Sequence, residues 1–546
     1  MNKLLFYLLT VAVPLSAQQN SMTRQYVPII ISKSQNTPLQ NLEIDNWTAY
    51  RYDAASAEWS PVPLQFDDKD DKDRYNKNDQ DRRIDDNDEL VVMPEDLGDK
   101  AGRAAWLSGV ADQDRIELAF SDPLNAADSG WIYLFPGSVE NPTSYFSYAP
   151  APPETPAADT VKTAAYHVGH NGQGWLDFIS LANDFNTNLI DRLKIRLGGE
   201  NTTLGVSPYV LHENYIQSGE PPVEFIPGRV RAFQKVKSEI DLSVFNFPII
   251  GNVSSPYYFQ YFPYSFATSA ETELEPGMLA LFGLNLIRQS LDLSPAAWGM
   301  TFYSAANSEG LRIDGSPDQV DASLPEAQTY NWIMSSGPQG TIIVMFDLPE
   351  ISLADTELYY QDDKTAVMAK DSTQDTGDGE AWGDMGIWVR ATGDAIKLNA
   401  NLNISFIGYL IPETDQNSGF AEQIVEWQTH PVTLTARRQT FSTSRVAERS
   451  NKPDQHRVIS MVPNPYTTGK SGRIVLDLPD REDITVSIMN ILGQHVKSWE
   501  IQNSAAQTQL IWNGLDERRQ PVVPGVYIVH VTTETGRFTQ KFAVVR

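Results

Sequence analysis

The most highly charged stretch of the chain runs from Asp67 to Glu89 and carries eleven carboxylates among six basic side chains. Carboxylates interspersed with Asn supply the hard oxygen ligands that calcium prefers in proteins. The apolar residues on either side predict flanking strands, and a cation held between those strands would order the loop. The residues favoured as calcium ligands are Asp79, Asp81, Asp86, Asn87 and Asp88.

The same stretch has an alternative interpretation as a solvated charge run, because its own basic residues offset over half of its acids. The spacing does not match an EF-hand, since no Gly occurs between Leu64 and Gly98 and the loop of that motif requires one. Calcium is therefore the one cofactor that the sequence supports, and both interpretations stay open.

A second acidic turn lies between Asp371 and Asp384. Gly377 and Gly379 allow the backbone to turn tightly there, so several carboxylates could share a cation. An exposed turn with Asp-Gly chemistry is the favoured alternative. The carboxylates in question are Asp375, Asp378, Glu380 and Asp384.

An aromatic row occupies Ser255 to Phe266, with seven aromatic residues between 257 and 266. Exposed rings of this kind can stack on sugars or contact another protein. Half of such a row on a strand would face the core of a wide sandwich, and the core is the favoured interpretation.

His167 and His170 are the only close histidine pair in the sequence. On a strand, a spacing of three places two side chains on opposite faces, which is poor geometry for chelation. The sequence also lacks a Gly-x-Ser-x-Gly nucleophile motif, a His-Glu-x-x-His zinc motif and a phosphate-binding loop. A non-enzymatic role is favoured, although a glycosidase carboxylate pair has no recognisable sequence spacing.

The amino-acid composition argues against several classes of function. The 546 residues include 70 acidic and 42 basic side chains, a formal charge of −28, and no Cys. So acidic a chain repels phosphate backbones, which argues against nucleic-acid binding. The lack of Cys excludes disulfides, zinc-thiolate sites and cysteine nucleophiles.

The first seventeen residues have the pattern of a secretory signal peptide. Lys3 supplies the positive start, Leu4 to Val13 form an apolar run of ten, and Leu15 to Ala17 offer small residues for cleavage before Gln18. An apolar run of this length covers only about half of a bilayer. We therefore expect an exported protein without a transmembrane segment after cleavage.

Beyond Gln18 the sequence predicts a mainly β protein. Short apolar or alternating runs lie between clusters of Asn, Asp, Gly and Pro. The clearest run, Arg229 to Val244, alternates with period two and predicts a long strand with one solvated face. Met278 to Leu291 is the best helical candidate, with Gly283 weakening it.

Two segments predict boundaries between domains. The first, 149–160, holds four prolines and is either a semi-rigid connector or a loop within one domain. The second, 437–458, is polar and unpatterned, as a linker is. The predicted organisation is a signal peptide at 1–17, an N-terminal β-rich region at 18–148, the connector at 149–160, a central β-sandwich region at 161–436, the linker at 437–458 and a C-terminal domain at 459–546.

The C-terminal segment differs from the rest in charge and pattern. It carries a net charge of +1 against −29 for everything before it. About seven short alternating strands in so short a segment predict a small immunoglobulin-like β-sandwich. Turn signals separate the strands at Asn490 to Gly493, Asn513-Gly514 and Pro524-Gly525.

The elements of this segment resemble, in order, the C-terminal sorting domain of type IX secretion cargo, and also flagellar-hook-cap-type immunoglobulin-like domains. The resemblance implies export to the periplasm and then passage across the outer membrane, with the secretion machinery as a partner. The motif residues that carry it are Asn464, Pro465, Gly493, Trp512, Gly514, Gly525, Tyr527 and Lys541.

Taken together, the sequence predicts a multidomain β-sandwich protein, secreted or held on the outer cell surface, with a binding or structural role. Cell-surface polysaccharide or protein would be its ligand. The alternatives are a secreted carbohydrate-active enzyme, either a glycoside hydrolase or a lyase, and a surface-layer or filament subunit.

Overall fold

The computed structural model describes most of the chain after the predicted signal peptide. The described residues are 18–32, 39–40, 42–69, 83–84, 88–102, 105–108, 114–137, 144–150, 159–171, 175–201, 206–213, 216–217, 224–240, 253–270, 283–325, 330–347, 354–365, 377–391, 405–439, 457–462, 464–468, 470, 472–477, 483–490, 493–501, 507–533 and 537–545. The signal-peptide prediction and most of the acidic stretch lie outside these residues.

Two compact units divide the chain, unit 1 at 1–442 and unit 2 at 443–546. The division falls within the predicted linker. The described strands in the first half of unit 1 are β1 (Ile29–Ser32), β2 (Trp47–Asp53), β3 (Glu58–Pro61), β4 (Gln65–Asp67), β5 (Glu89–Val92), β6 (Arg115–Ser121), β7 (Ser129–Pro136), β8 (Ser147–Ala149), β9 (Asp159–Lys162), β10 (Tyr166–His170), β11 (Leu176–Leu181), β12 (Ile190–Asn201) and β13 (Val206–His212).

The second half of unit 1 continues the β pattern. Its strands are β14 (Ile216–Gln217), β15 (Glu224–Ile226), β16 (Ala232–Ile240), β17 (Val253–Phe262), β18 (Ser265–Ala270), β19 (Leu284–Leu293), β20 (Thr301–Ser304), β21 (Leu311–Arg312), β22 (Asn331–Gly337), β23 (Gly340–Asp347), β24 (Ala354–Gln361), β25 (Trp382–Ala391), β26 (Ser405–Ile411) and β27 (Thr433–Gln439).

Helical structure is sparse in the part of the chain that the structure describes. One α-helix, α1 (Ser418–Thr429), begins where the Asn417 side chain accepts a hydrogen bond from the Gly419 N–H. Short 3-10 turns occupy Ile44–Asn46, Pro94–Asp96 and Pro295–Ala297. None of the described helices is long and apolar enough to cross a membrane.

The N-terminal part of unit 1 is built from two sheets around a shared core. One sheet has the order β1-β5-β4, and the other has the order β27-β6-β7-β2-β3. Residues of both sheets, including Val92, Leu118 and Leu434, are buried together. The last strand of unit 1 thus pairs with β6, and this pairing crosses the predicted boundaries at 148 and 161.

The central part of unit 1 holds three further sheets. Their orders are β11-β10-β9-β8, then β13-β12-β19-β25-β24, then β14-β16-β17-β18-β26-β23-β22-β20-β21 with β15 also on β16. One extended core joins residues of all three, among them Val168, Leu291 and Phe302. The proline-rich segment 149–160 joins β8 to β9, two strands paired in one sheet.

Unit 2 is a sandwich of two sheets, as predicted. Its strands are β28 (Arg457–Val462), β29 (Tyr466–Thr467), β30 (Gly472–Asp477), β31 (Ile484–Asn490), β32 (His495–Ile501), β33 (Gln507–Trp512), β34 (Gly525–Thr533) and β35 (Arg537–Val545). They form sheets of order β28-β30-β33 and β29-β35-β34-β31-β32. Alternate residues from both sheets, such as Ile474 and Val529, meet in one core.

The prediction of a mainly β, multidomain sandwich architecture is therefore confirmed, but the predicted helix over Met278 to Leu291 is wrong. Leu284–Leu293 is the strand β19, the centre of a five-stranded sheet. Its two neighbours pair with it along most of its length. These ladders override the weak helical spacing of the leucines.

The predicted solvated face of the run from Arg229 is also partly wrong. The strand β16 exists, and Val230 and Ala232 are buried as the alternation requires. On the other face, however, Arg231 and Phe233 are buried as well, with Arg231 only 1% exposed. A charged side chain at that position requires partners inside the protein.

We predict that residues 18–440 and 459–546 fold independently, because each has a hydrophobic core of its own. Expressed separately, each fragment should give a cooperative thermal transition by circular dichroism or calorimetry. The full chain should show transitions at similar temperatures. Non-cooperative melting of both fragments, beside a cooperative full chain, would contradict the division.

Candidate functional site

The aromatic side chains of the predicted sorting motif form the centre of unit 2. Trp512 in β33 and Tyr527 in β34 are buried between the sheets. The ring centroid of Trp512 lies 5.1 Å from that of Tyr466 and 5.7 Å from that of Phe542. The indole N–H of Trp512 donates to the Leu515 carbonyl at 2.9 Å, so the motif fixes the following turn to the core.

The glycines of the motif have different roles. Gly514 has a φ of +74°, and a Cβ there would lie 2.5 Å from the Tyr466 hydroxyl. Gly493 has a φ of +75° in the turn between β31 and β32. Both positions therefore need the left-handed conformation that favours Gly. Gly525, at the start of β34, does not have a φ in that region.

The remaining motif residues lie at the surface of unit 2. The side-chain oxygen of Asn464 accepts a hydrogen bond from the Ala543 N–H at 3.0 Å and so ties the start of the unit to its last strand. Pro465 follows it and is exposed, and Lys541 is exposed on β35. The motif thus contributes core residues, two left-handed turns and a hydrogen bond from β35 to the segment between β28 and β29.

In unit 1, the ends of the acidic stretch are held by an internal cation. Asp67 in β4 and Glu89 in β5 are paired across the sheet. The Arg231 Nη2 atom lies 2.5 Å from Asp67 Oδ2 and 2.7 Å from Glu89 Oε2. Lys69 Nζ adds a second contact to Glu89 at 2.6 Å. At the two ends of the stretch, Arg231 and Lys69 thus supply positive charges from within the protein.

The cluster is buried, and its pKa values reflect competition between burial and charge. Burial raises the pKa of Asp67, against the lowering effect of Arg231. Burial also opposes ionisation of Glu89, but there Arg231 and Lys69 prevail and lower the pKa. The Arg231 guanidinium contacts both carboxylates, and its positive charge favours the ionised form of each against the cost of burial.

The predicted calcium ligands are only partly placed. Asp88 is buried, and its Oδ1 atom accepts a hydrogen bond from the Lys69 N–H at 3.3 Å. The other four, Asp79, Asp81, Asp86 and Asn87, lie outside the described residues. Calcium binding by this stretch stays a prediction.

A second buried acid lies just beyond β5. Asp96 is 6% exposed and accepts a hydrogen bond from the Tyr145 hydroxyl at 3.0 Å. Burial is the main cause that raises the pKa of Asp96 to about 7, and the charge of the neighbouring Glu95 contributes to the rise. No sequence motif singles out Asp96, because its raised pKa results from burial in the folded protein.

The aromatic row belongs mainly to the core, as the favoured interpretation had it. Among its described side chains, Phe259, Tyr261, Phe262 and Phe266 are each buried. The carbohydrate-stacking alternative requires exposed ring faces, which these four do not offer.

The two histidines of β10 have different surroundings, and His170 has an acidic neighbour. His167 stacks on Phe185, with ring centroids 4.0 Å apart. His170 is buried, with Nδ1 at 2.7 Å from Asp159 Oδ1 and Nε2 at 2.7 Å from the Tyr261 hydroxyl. Since both ring nitrogens are engaged, His170 has no free nitrogen for a metal.

The Asp159–His170 pair is part of a closed hydrogen-bonded ring. The Tyr261 hydroxyl donates to Gln234 at 2.9 Å, and the Gln234 amide donates to Asp159 at 2.6 Å. Each member satisfies the next, so the ring stabilises the packing of β9, β10, β16 and β17.

The second acidic turn is brought into contact with two acids that sequence reasoning missed. Asp378 lies near Asp191 and Asp292, and Asp384 lies near Asp292. Glu380 instead accepts a hydrogen bond from the Trp382 indole at 2.7 Å. Asp375 lies outside the described residues. Asp191 and Asp292 were missed because each is a single acid within an otherwise unremarked strand.

The described part of unit 2 is a small β-sandwich with two sheets around one core that is rich in aromatic residues. Residues 460–545 match the family described as the secretion system C-terminal sorting domain. This part of the chain is therefore a sorting domain, and it marks the protein as type IX secretion cargo destined for the cell surface or the exterior.

Solved structures with some similarity include dimeric latent PorU from Porphyromonas gingivalis, at 11% identity and a TM-score of 0.15, covering 73% of this chain and 32% of PorU. PorZ from the same organism, a surface component of the type IX secretion system, is 10% identical with a TM-score of 0.14, covering 71% of this chain and 69% of PorZ. This chain thus spans about a third of PorU. Scores this low do not establish a common fold. No curated protein sequence matched the chain.

We predict that Arg231→Ala destabilises unit 1 by about 3–5 kcal/mol, because it leaves Asp67 and Glu89 buried without their shared cation. Urea unfolding followed by tryptophan fluorescence would measure the loss. The matched control is Arg229→Ala, two residues earlier and exposed, which should change stability by less than about 0.5 kcal/mol. Equal stabilities of the two variants would show that the cluster is unimportant.

We further predict that Asp96 makes the protein less stable as pH rises from about 4 to 7. The folded state holds this proton while the unfolded chain releases it, so the loss is on the order of 4 kcal/mol by pH 8. Asp96→Asn should abolish that part of the pH dependence in urea titrations at pH 4, 6 and 8. Glu95→Gln, at an exposed neighbour, should not. Parallel pH profiles for wild type and Asp96→Asn would refute the shift.

Proposed function

We propose that this chain is a secreted or cell-surface protein with a binding or structural role, exported through a type IX pathway by way of the periplasm. The observation that carries the proposal is the sorting domain at 460–545, folded as a unit of its own. Its partner is the secretion machinery. The ligand of unit 1 would be a cell-surface polysaccharide or protein.

A binding or structural role for unit 1 is supported by how its distinctive residues are used. The Arg231 cluster, the ring around His170 and the rings of the aromatic row all hold strands together. The carbohydrate-active alternative loses the support of the aromatic row, whose described rings are largely buried. The acidic stretch, with its predicted calcium ligands, remains part of the proposal as a stabilised loop.

We predict that a chain lacking 459–546 accumulates in the periplasm of a bacterium that has the type IX system. The signal peptide still directs transport into the periplasm, but the domain that directs passage across the outer membrane is missing. Cell fractionation and protease treatment of intact cells would locate the protein. Surface display of the truncated protein would refute the assignment.

The matched control attaches the sorting domain to an unrelated protein. A folded periplasmic reporter with its own signal peptide, fused to residues 459–546, should reach the surface or medium, and the same reporter without the fusion should not. If the fusion stays in the periplasm although both parts are folded, the sorting domain is insufficient for export.

A further inference from the structure

Four aspartates from different parts of unit 1 meet at one end of the sheet that contains β12, β19 and β25. Asp191 lies in β12, Asp292 in β19 and Asp384 in β25, while Asp378 lies in the turn just before β25. One carboxylate oxygen from each of Asp191, Asp292 and Asp378 lies within 4.8 Å of the others.

Two register shifts in the strand pairing bring these aspartates close together. The register of β12 against β19 shifts between Ile190 and Arg192, so Asp191 is an extra residue in the ladder. The register of β19 against β25 shifts between Leu291 and Leu293, opposite the segment that holds Asp384. Bulges redirect side chains and are frequent beside functional sites. Here both bulges fall at acids.

The turn is fitted closely against Asp191. The Asp378 N–H donates to Asp191 Oδ2 at 3.3 Å, and a Cβ on Gly377 would lie only 1.8 Å from the same oxygen. Gly377 also has a φ of +140°. Only Gly allows the backbone to approach the carboxylate this closely.

The charges of the cluster are incompletely balanced by the described residues. Lys194 Nζ lies 2.6 Å from Asp292 Oδ2, with both side chains fully buried. Asp384 is 0% exposed, yet neither of its carboxylate oxygens has a hydrogen-bond partner among the residues that the structure describes. Burial raises the pKa of Asp292 most strongly, and the nearby charge of Asp384 also raises it. Asp384 is therefore a buried acid near Asp292 whose carboxylate oxygens accept no hydrogen bond within the described part of the chain.

We propose that this cluster, formed by Asp191, Asp292, Asp378 and Asp384, is a binding site for one calcium ion. Carboxylate oxygens are the ligands that calcium prefers, and it tolerates the irregular geometry of a site assembled from two bulges and a turn. Magnesium demands octahedral geometry and gives up water reluctantly, so it should bind more weakly. The ion would supply the partner that Asp384 lacks and would fix the turn to the sheet.

The test uses the full mature chain, freed of metal by chelation. Isothermal titration should show one calcium ion bound at this site, and calcium should raise the melting temperature more than magnesium does. Asp384→Asn should weaken binding at this site by roughly 10- to 100-fold through loss of a charged ligand. Terbium offers a second readout, since Trp382 lies beside the cluster and can sensitise its emission.

Because a buried substitution can change folding, a second variant leaves all four carboxylates intact. Gly377→Ala should push the turn away from Asp191 and weaken calcium binding, and its unfolding curve in chelator measures separately what the strained backbone costs the fold. Asp184→Asn, at an exposed turn in unit 1, is the matched control and should bind as wild type does.

A further variant separates this site from the acidic stretch. The quadruple change Asp79→Asn, Asp81→Asn, Asp86→Asn and Asp88→Asn should leave the proposed site intact. Calcium binding lost in the quadruple variant but retained in Asp384→Asn and Gly377→Ala would overturn the proposal in favour of the stretch. Absence of calcium binding by the wild type would also overturn it, without bearing on export.

Discussion

Arg231 places one positive charge between two carboxylates at a point that water hardly reaches. Burying an ion costs several kcal/mol unless it is paired at close range. The strands β4 and β5 and the residue just before β16 must therefore align for the fold to form. The same constraint recurs in unit 1 at Arg24 with Asp122, and at Lys194 with Asp292, where both partners of each pair are nearly inaccessible. These pairs specify which strands meet, beyond what apolar contacts alone require.

The strands themselves were largely predictable, because alternation of apolar and polar residues records which face is buried. That logic failed where a polar residue is buried with a partner distant in sequence. Arg231 reads as a solvated residue until Asp67 and Glu89 are known to face it. It failed again at β19, where leucines compatible with a helix lie in a strand flanked by two others. Both outcomes depend on tertiary pairing, which local periodicity does not encode.

The candidate sites also differ in whether local sequence or tertiary pairing determines them. The sorting motif was predictable because its residues act within one short unit and keep a fixed order along the chain. In the aspartate cluster, Asp378 and Asp384 belong to a visibly acidic turn, whereas Asp191 and Asp292 do not stand out from their strands. Their proximity follows from two register shifts. A bulge is a property of a pair of strands, so neither strand alone reveals it.

The pairing of β27 with β6 has a consequence for how the chain acquires its structure. Arg115 and Gln439, hydrogen-bonded across this pair, are 324 positions apart in the chain. Contacts so distant form slowly, because the entropy of closing a large loop is lost before the contact is gained. The first large sheet is thus completed only after nearly all of unit 1 has emerged from the ribosome. Until then β6 is an open edge on which other chains can pair, and a nascent or translocating chain has to be shielded there.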